Sequence, residues 1–303
     1  MEEKKTETNH KKLLTVFTST YNRAHTLHLG YEALLRQTCK DFVWLIVDDG
    51  STDHTRELVE NWINNGCPFK IEYCYKENGG LHTGYNTAIK LINTELCVCI
   101  DSDDYMPDNA VEQIIAFWNK YGSLHYAGII GLDCDEEGKP LGGILPRIDS
   151  LFLVELTCKY HYRGDVKIVL RTDLLKQVAP MPTFNDEKNF NPIYLILQVG
   201  NKYPFLILNE NLCYVKYDTG GMSNQIFNQY RNSPNSFREL RLLNMNLLRT
   251  TLSFRFKQHI HYVSSCLLAK RHDILQKSPD KFLTLLAYPL GRLLFYFIIW
   301  KTK

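Results

Sequence analysis

The chain has 303 residues, 45% hydrophobic and 22% charged, an ordinary globular balance with enough apolar material for one large domain or two small ones. The formal net charge of +2 conceals an asymmetry: residues 231–303 carry thirteen Lys/Arg against three Asp/Glu, a surplus of +10 that leaves residues 1–230 at −8, so the two parts are expected to meet different partners. Nine scattered cysteines, with no CxxC pair and no Cys/His cluster of zinc spacing, read as reduced core residues of a cytosolic protein. The polar opening MEEKKTETNHKK lacks the apolar stretch of a secretory signal, which points the same way.

After a polar tail at 1–12, short β-branched or aromatic runs alternate with segments of helical period, the pattern of a mostly parallel sheet flanked by helices. Strands are expected at 13–19, 42–49, 70–77, 95–101 and 126–133. Between them Leu27, Tyr31, Leu34 and Leu35 share one helical face, as do Leu58, Val59, Trp62 and Ile63, then Tyr85, Ala88, Ile89 and Ile92. Pro107 stands where a fourth helix would open, with Val111, Ile114, Ile115 and Trp118 as its buried face. Beyond Gly164 the pattern is mixed, with a last convincing strand at 205–217 and helices from about Ser236.

Three of these strands end in polar clusters, TSTYNR, DDGSTD and DSDD, and in open α/β sheets the crevice beyond the carboxyl ends of the strands takes ligands. Carboxylates at a buried strand end persist only where something positive compensates them. A hard divalent cation does so, and Asp101 and Asp103 have the spacing to share a ligand set. The plain alternative is an acidic helix start, with Asp103 or Asp104 as cap. Asp48 and Asp49 stand where a carboxylate can accept from a base edge or a ribose hydroxyl, and Tyr21 where a ring can stack on a base. Ser51 and Asp53 fit the turn and the cap of the helix that follows.

In order and spacing, TSTYNR (18–23), VDDGSTD (47–53), ENGGLHTGYN (77–86) and IDSDD (100–104) resemble the nucleotide-sugar half of family 2 glycosyltransferases over roughly residues 12–135. The resemblance implies the GT-A fold, a Rossmann-like α/β sheet, and inverting transfer of a sugar from a nucleoside diphosphate, UDP being the expected one, to a hydroxyl. By the same resemblance Ser19, Tyr21 and Asp49 hold base and ribose with Asp48 beside them. Asp101 and Asp103 form the DxD that binds Mn²⁺ or Mg²⁺, Asp103 most directly, and Asn86 and His82 lie near the diphosphate or donor sugar. Leu81, Gly84 and Tyr85 depart from the family pattern, which weakens the assignment of His82 more than that of Asn86.

An inverting transfer needs a base for the acceptor's proton. Relatives carry an acidic residue after a segment like GEKFxPE, but the comparable FNDEKNFNPIYLI has Ile193 there, leaving Asp186 and Glu187 as candidate catalytic residues or as two solvated charges. YDTGGMSN (217–224) resembles the Y…GLS segment of the same subgroup, and Gly220 and Gly221 would suit a flap or a plain turn. These readings divide the chain into a catalytic domain at 13–230, with a nucleotide-sugar half (13–135) and an acceptor half (136–230), and a basic helical region at 231–303.

Within that last region, residues 282–300 are nearly long enough to span a bilayer but are interrupted by Pro289, Gly291 and Arg292. An interfacial helix on an anionic membrane surface is the reading, with a packed or a spanning helix as alternatives. No nucleic-acid signature accompanies the basic residues. The expectation is a glycosyltransferase at the inner face of the cell membrane, acting on a glycan or lipid-linked acceptor in surface polysaccharide synthesis. A nucleotide-sugar-binding pseudoenzyme and a nucleotidyl-transferring or hydrolysing enzyme are the alternatives.

Overall fold

A computed structural model describes residues 12–216 and 225–303. The elements run β1 (Leu14–Thr20), α1 (Ala24–Arg36), β2 (Phe42–Asp48), α2 (Thr55–Asn65), β3 (Lys70–Tyr75), α3 (Leu81–Leu91), β4 (Leu96–Cys99), α4 (Ala110–Tyr121) and β5 (Gly128–Cys134). There follow β6 (Ser150–Leu151), α5 (Leu153–Cys158), β7 (Val166–Arg171), α6 (Thr172–Val178), α7 (Ile193–Lys202) and β8 (Phe205–Tyr214). The chain closes with α8 (Ile226–Asn232), α9 (Pro234–Met245), α10 (Leu252–Leu268), α11 (Ile274–Lys277) and α12 (Lys281–Lys301). Among the described residues one eight-stranded sheet has the order β3-β2-β1-β4-β7-β5-β8-β6. Strands β1 to β4 are parallel, and β7 runs antiparallel between β4 and β5.

Strand β2 reads as an almost unbroken apolar run, and β1, which mixes Leu, Val and Phe with Thr and Ser, is buried along nearly its whole length, because both faces are covered. Alternate side chains enter two cores. Leu14, Val16, Trp44 and Ile46 meet Leu27 of α1, Val59 of α2 and Ile114 of α4 on one face. Phe17, Leu45 and Val47 meet Ile89 of α3, Leu174 of α6 and Leu195 of α7 on the other. The fold class expected from the sequence is the one observed.

Two boundaries differ from expectation. The fourth helix begins at Ala110 rather than Pro107, whose carbonyl accepts from the Ala110 N–H at 3.0 Å in the turn before it. The stretch past Gly164 contains β7, whose charged Lys167 and Arg171 blur the apolar alternation of a strand buried between two neighbours. The segment 217–224, with Gly220 and Gly221, lies outside the described residues.

The helices after residue 225 dock on the α/β part: Leu240 of α9 joins the core that holds Phe17. Helix α12 lies along α10, burying Thr284, Ala287, Gly291 and Ile298. Gly291 permits the close approach, since a Cβ there would stand 2.6 Å from Val263 Cβ. The helix continues through Pro289, where the missing N–H removes only the bond to the Leu285 carbonyl. Its opposite face leaves Phe282, Leu285, Leu286, Leu293 and Trp300 more than half exposed. Among the described residues, α12 is the one helix long and apolar enough to cross a membrane by length and composition, with a mean hydropathy of 1.8.

Candidate active site

The carboxyl ends of β1, β2 and β4 open on a cleft of 910 Å³. The loop after β2 holds the loop after β1 in place. Asn22 Oδ1 accepts from the Thr52 and Asp53 N–H groups, and the Asn22 N–H donates to Ser51 Oγ. Asp53 caps the next turn through Thr55 and also receives the Ala24 N–H. Ser19, half-exposed Tyr21 and Arg23 therefore reach the cleft wall from a fixed turn. Gly84 of α3 packs so closely that a Cβ would stand 2.1 Å from Ser19 Oγ, which accounts for one departure from the family pattern.

The acidic pair after β2 behaves differently from the expectation. Asp48 is fully buried, and both its oxygens are engaged by the protein, one by the Ser51 N–H at 2.8 Å and the other by the Tyr73 hydroxyl at 2.6 Å. Burial, together with this carboxylate, raises the Tyr73 pKa and keeps the phenol protonated. Asp49 borders the cleft but is 3% exposed. It pairs with Lys76 and accepts from the Gly79 and Gly80 N–H groups, Asn78 Nδ2 and Thr83 Oγ1. Five donors exceed the roughly four lone-pair directions of a carboxylate. Asp48 and Asp49, expected as nucleotide ligands, are engaged here by donors that organise the loops around the cleft.

His82 and Asn86, expected near the diphosphate or donor sugar, share one face of α3, and neither lines the cleft. His82 is 1% exposed beside Phe190, with Nδ1 lacking a partner, and burial pushes its pKa down. Asn86 exchanges two hydrogen bonds with the Met181 backbone, at 3.0 and 2.8 Å, tying α3 to the segment after α6.

Asp101 and Asp103 lie in the cleft with Asp104, Asp133 and Asp165. In their midst stands Lys167 of β7, a residue the sequence reading passed over, 3.5 Å from Asp133 and with its side chain 11% exposed. A lysine between Val166 and Ile168 in an apolar strand was the available signal. Burial works against its charge, but the surrounding acidic groups, Asp133, Asp104 and Asp101 among them, outweigh it and raise its pKa. One ammonium does not neutralise the cluster. Burial and its acidic neighbours push Asp104 up to about 7, although Lys167 pulls the other way.

The residues after α6 divide by direction. Glu187, 6% exposed, accepts from the N–H and side chain of both Asn235 and Ser236 at the start of α9. This candidate base is thereby engaged as an anchor of that helix. Asp186 is exposed, at φ 64°, and lines a second cavity of 590 Å³ beside the cleft. Lys188, two residues on, closes the cleft wall: a Cβ on Gly80, at φ +94°, would stand 2.1 Å from the Lys188 carbonyl.

Residues 15–178, more than half of the chain, match the sequence profile of glycosyl transferase family 2. The chain belongs to that family. Among relatives, it is 31% identical over 127 residues to chondroitin synthase of Escherichia coli, 42% of this chain and 18% of the synthase. It is 28% identical over 120 residues to an uncharacterized glycosyltransferase of Nostoc sp., 39% of this chain and 37% of that protein. These matches span well under two thirds of the relatives' length. Among solved structures, S. aureus TarS 1–349 superposes with a TM-score of 0.62 at 17% identity, covering 94% of this chain and 88% of TarS. Mannosyltransferase PcManGT from Pyrobaculum calidifontis, in complex with GDP-Man and Mn²⁺, gives 0.56 at 14% identity, covering 97% and 89%. At these identities the likeness shows a shared fold.

Proposed function

We propose that this family 2 member is an inverting glycosyltransferase of GT-A type that takes its sugar from a nucleoside diphosphate, UDP in the first instance. The observation that carries the reading is the convergence of three strand-end loops on one cleft with Asp101 and Asp103 at its wall. The family profile supports it, as does the fold shared with TarS, whose structures include complexes with UDP and UDP-GlcNAc. Tyr21 offers a ring for the base and Ser19 a hydroxyl for the ribose.

The donor set of the cleft suits Mn²⁺ or Mg²⁺. It is made of hard carboxylate oxygens in excess of the one buried ammonium. Among the described residues no group of three His, Cys, Asp or Glu is placed to hold an ion, so phosphate oxygens and water would have to complete its ligand set. Asp103, with Asp101, would hold the ion. When bound it supplies Lewis-acid stabilisation of the charge that develops on the departing diphosphate. Lys167 pairs with Asp133. Asp186, facing the neighbouring cavity, is the proposed base. It takes the proton of the acceptor hydroxyl as that oxygen bonds to the anomeric carbon and the bond to the diphosphate breaks.

The acceptor is proposed to be a glycan or lipid-linked sugar of surface polysaccharide synthesis. The apolar face of α12, bordered by Lys281, Arg292, Lys301 and Lys303, supports a peripheral seat on the inner, anionic membrane surface.

Incubation with a panel of nucleotide-sugars, Mn²⁺ and glycan or lipid-linked acceptors tests the reading. Transfer with inverted anomeric configuration supports it, and Asp186→Asn should lower turnover by roughly 10² to 10⁴ without changing donor affinity. Ile193, whose N–H is taken by Asn191 Oδ1 at the start of α7, keeps a second reading in view. In a nucleotide-sugar-binding protein that has lost its base, the same panel gives binding and no transfer.

A further inference from the structure

The second cavity adjoins the donor cleft and shares Arg23 and Lys188 with it. One wall is made by α8 and the residue before it. In QIFNQYRN, Gln225, Asn228, Gln229 and Asn232 stand at spacings of three, four and seven, the period of one helical face, and all four line the cavity. The opposite face is aromatic and packed. Phe227 meets Phe297 of α12 with ring centroids 5.4 Å apart, and Tyr230 meets Phe237 of α9 at 4.4 Å. The helix therefore has a fixed rotation, and the fixed rotation turns its amides inward. Asn189 Nδ2 donates to Gln229 Oε1 at 2.6 Å, which ties the opposite wall to α8.

A solvated helix face explains exposed amides in general, but charged residues serve that purpose at least as well, and none of these four positions is charged. Amides differ from charges in offering donor and acceptor together, the complement of a sugar hydroxyl. The cavity's 590 Å³ lies within the size range of small-molecule sites, about 300–1,000 Å³. Its position beside both Asp186 and the donor cleft is where an attacking hydroxyl has to arrive.

We propose that the amide face of α8 binds the acceptor oligosaccharide, holding the sugar residues next to the hydroxyl that is glycosylated. The assignment rests on the reading of the chain as a glycosyltransferase. Asn228 and Asn232 are exposed, so replacing both by Ala leaves the packing of α8 intact. The full chain and the Asn228→Ala/Asn232→Ala variant are each applied to an array of defined oligosaccharides of hexose, N-acetylhexosamine and uronic acid. UDP affinity with Mn²⁺ is measured in parallel by calorimetry.

The expected result is capture of at least one oligosaccharide by the unaltered chain and binding weaker by about tenfold in the variant, as for loss of two neutral hydrogen bonds. UDP affinity stays within about twofold. No oligosaccharide bound by the unaltered chain, equal binding by the variant, or a matching loss of UDP affinity overturns the assignment. Absence of UDP binding in the unaltered chain instead refutes the donor reading, and the oligosaccharide comparison still decides the subsite.

Discussion

Glu187 receives two hydrogen bonds from Ser236, from its N–H at 2.8 Å and its hydroxyl at 2.7 Å, so a carboxylate of the loop after α6 fixes the first turn of α9. Negative charge at a helix start, with hydrogen bonds to a charged acceptor, is stabilising. Glu187→Gln keeps one acceptor and loses the charge, and should lower stability by about 1–3 kcal/mol. Turnover per folded molecule should stay within about twofold. Urea unfolding beside steady-state kinetics checks this, and a large loss of turnover at unchanged stability would return Glu187 to the list of bases.

Asp49 organises a loop, so its loss should act on stability and on nucleotide binding together. Asp49→Ala leaves Lys76 unpaired and frees the Gly79 and Gly80 N–H groups. Removing one partner of a buried pair costs about 3–5 kcal/mol, reduced here to roughly 2–3 because Lys76 is partly exposed. Thermal unfolding should show the loss, and limited proteolysis should cut faster near residues 77–80. Weakened nucleotide affinity with unchanged stability would instead mark a direct ligand.

Why the sequence distinguished some of these residues and not others has a physical reason. The parallel strands were legible because they are short runs rich in β-branched, aromatic and apolar residues, β2 being apolar almost throughout, and the cleft was legible because polar clusters follow three of them. The direction of a side chain was not. Asp186 and Glu187 are neighbours, but one faces a cavity and the other meets residues 48 and 49 positions later. The engagement of Asp48 was not legible because its partner Tyr73 lies 25 residues away on β3. Lys167 was hidden because a buried lysine has meaning only once the carboxylates from β4 and β5 are seen around it.

The carboxylate excess at the cleft makes metal the expected condition for diphosphate binding, since two anions otherwise meet. Calorimetry should find UDP affinity lowered at least about tenfold by EDTA, and Asp103→Ala should remove the difference between metal and EDTA. Equal affinity in EDTA for the unaltered protein would refute the assignment of Asp103.

The C-terminal helices carry a titration of their own. Burial, then Arg241 and Lys257, push His261 of α10 down to about 4. Between the ordinary histidine value of 6.5 and about 4 the unfolded chain takes up a proton that the folded chain refuses, so stability falls as pH falls through that window. The slope from one group is at most about 1.4 kcal/mol per pH unit. His259 is also lowered, by burial first, so His261→Phe should flatten the decline without abolishing it. Urea midpoints measured from pH 7 to pH 4 decide, and an unchanged slope would show that His261 protonates in the folded state.

The exposed face of α12 makes the most direct test of placement. Leu286 and Leu293 are 53% and 64% exposed and face away from the seam with α10, where Ala287 and Gly291 are buried. Replacing both by Glu should therefore leave the fold and UDP binding unchanged. The same change puts two charges on the face proposed to enter the headgroup boundary, where apolar burial supplies most of the affinity and each nearby Lys or Arg adds about 1 kcal/mol on anionic lipid. Flotation with vesicles of neutral and anionic lipid should recover the unaltered protein, less of it at high salt but not none, because salt screens the basic residues and not the apolar contact. The double variant should stay at the bottom of the gradient. Flotation of both proteins alike would move the membrane contact away from α12, and complete release of the unaltered protein by salt would reduce the contact to electrostatics alone.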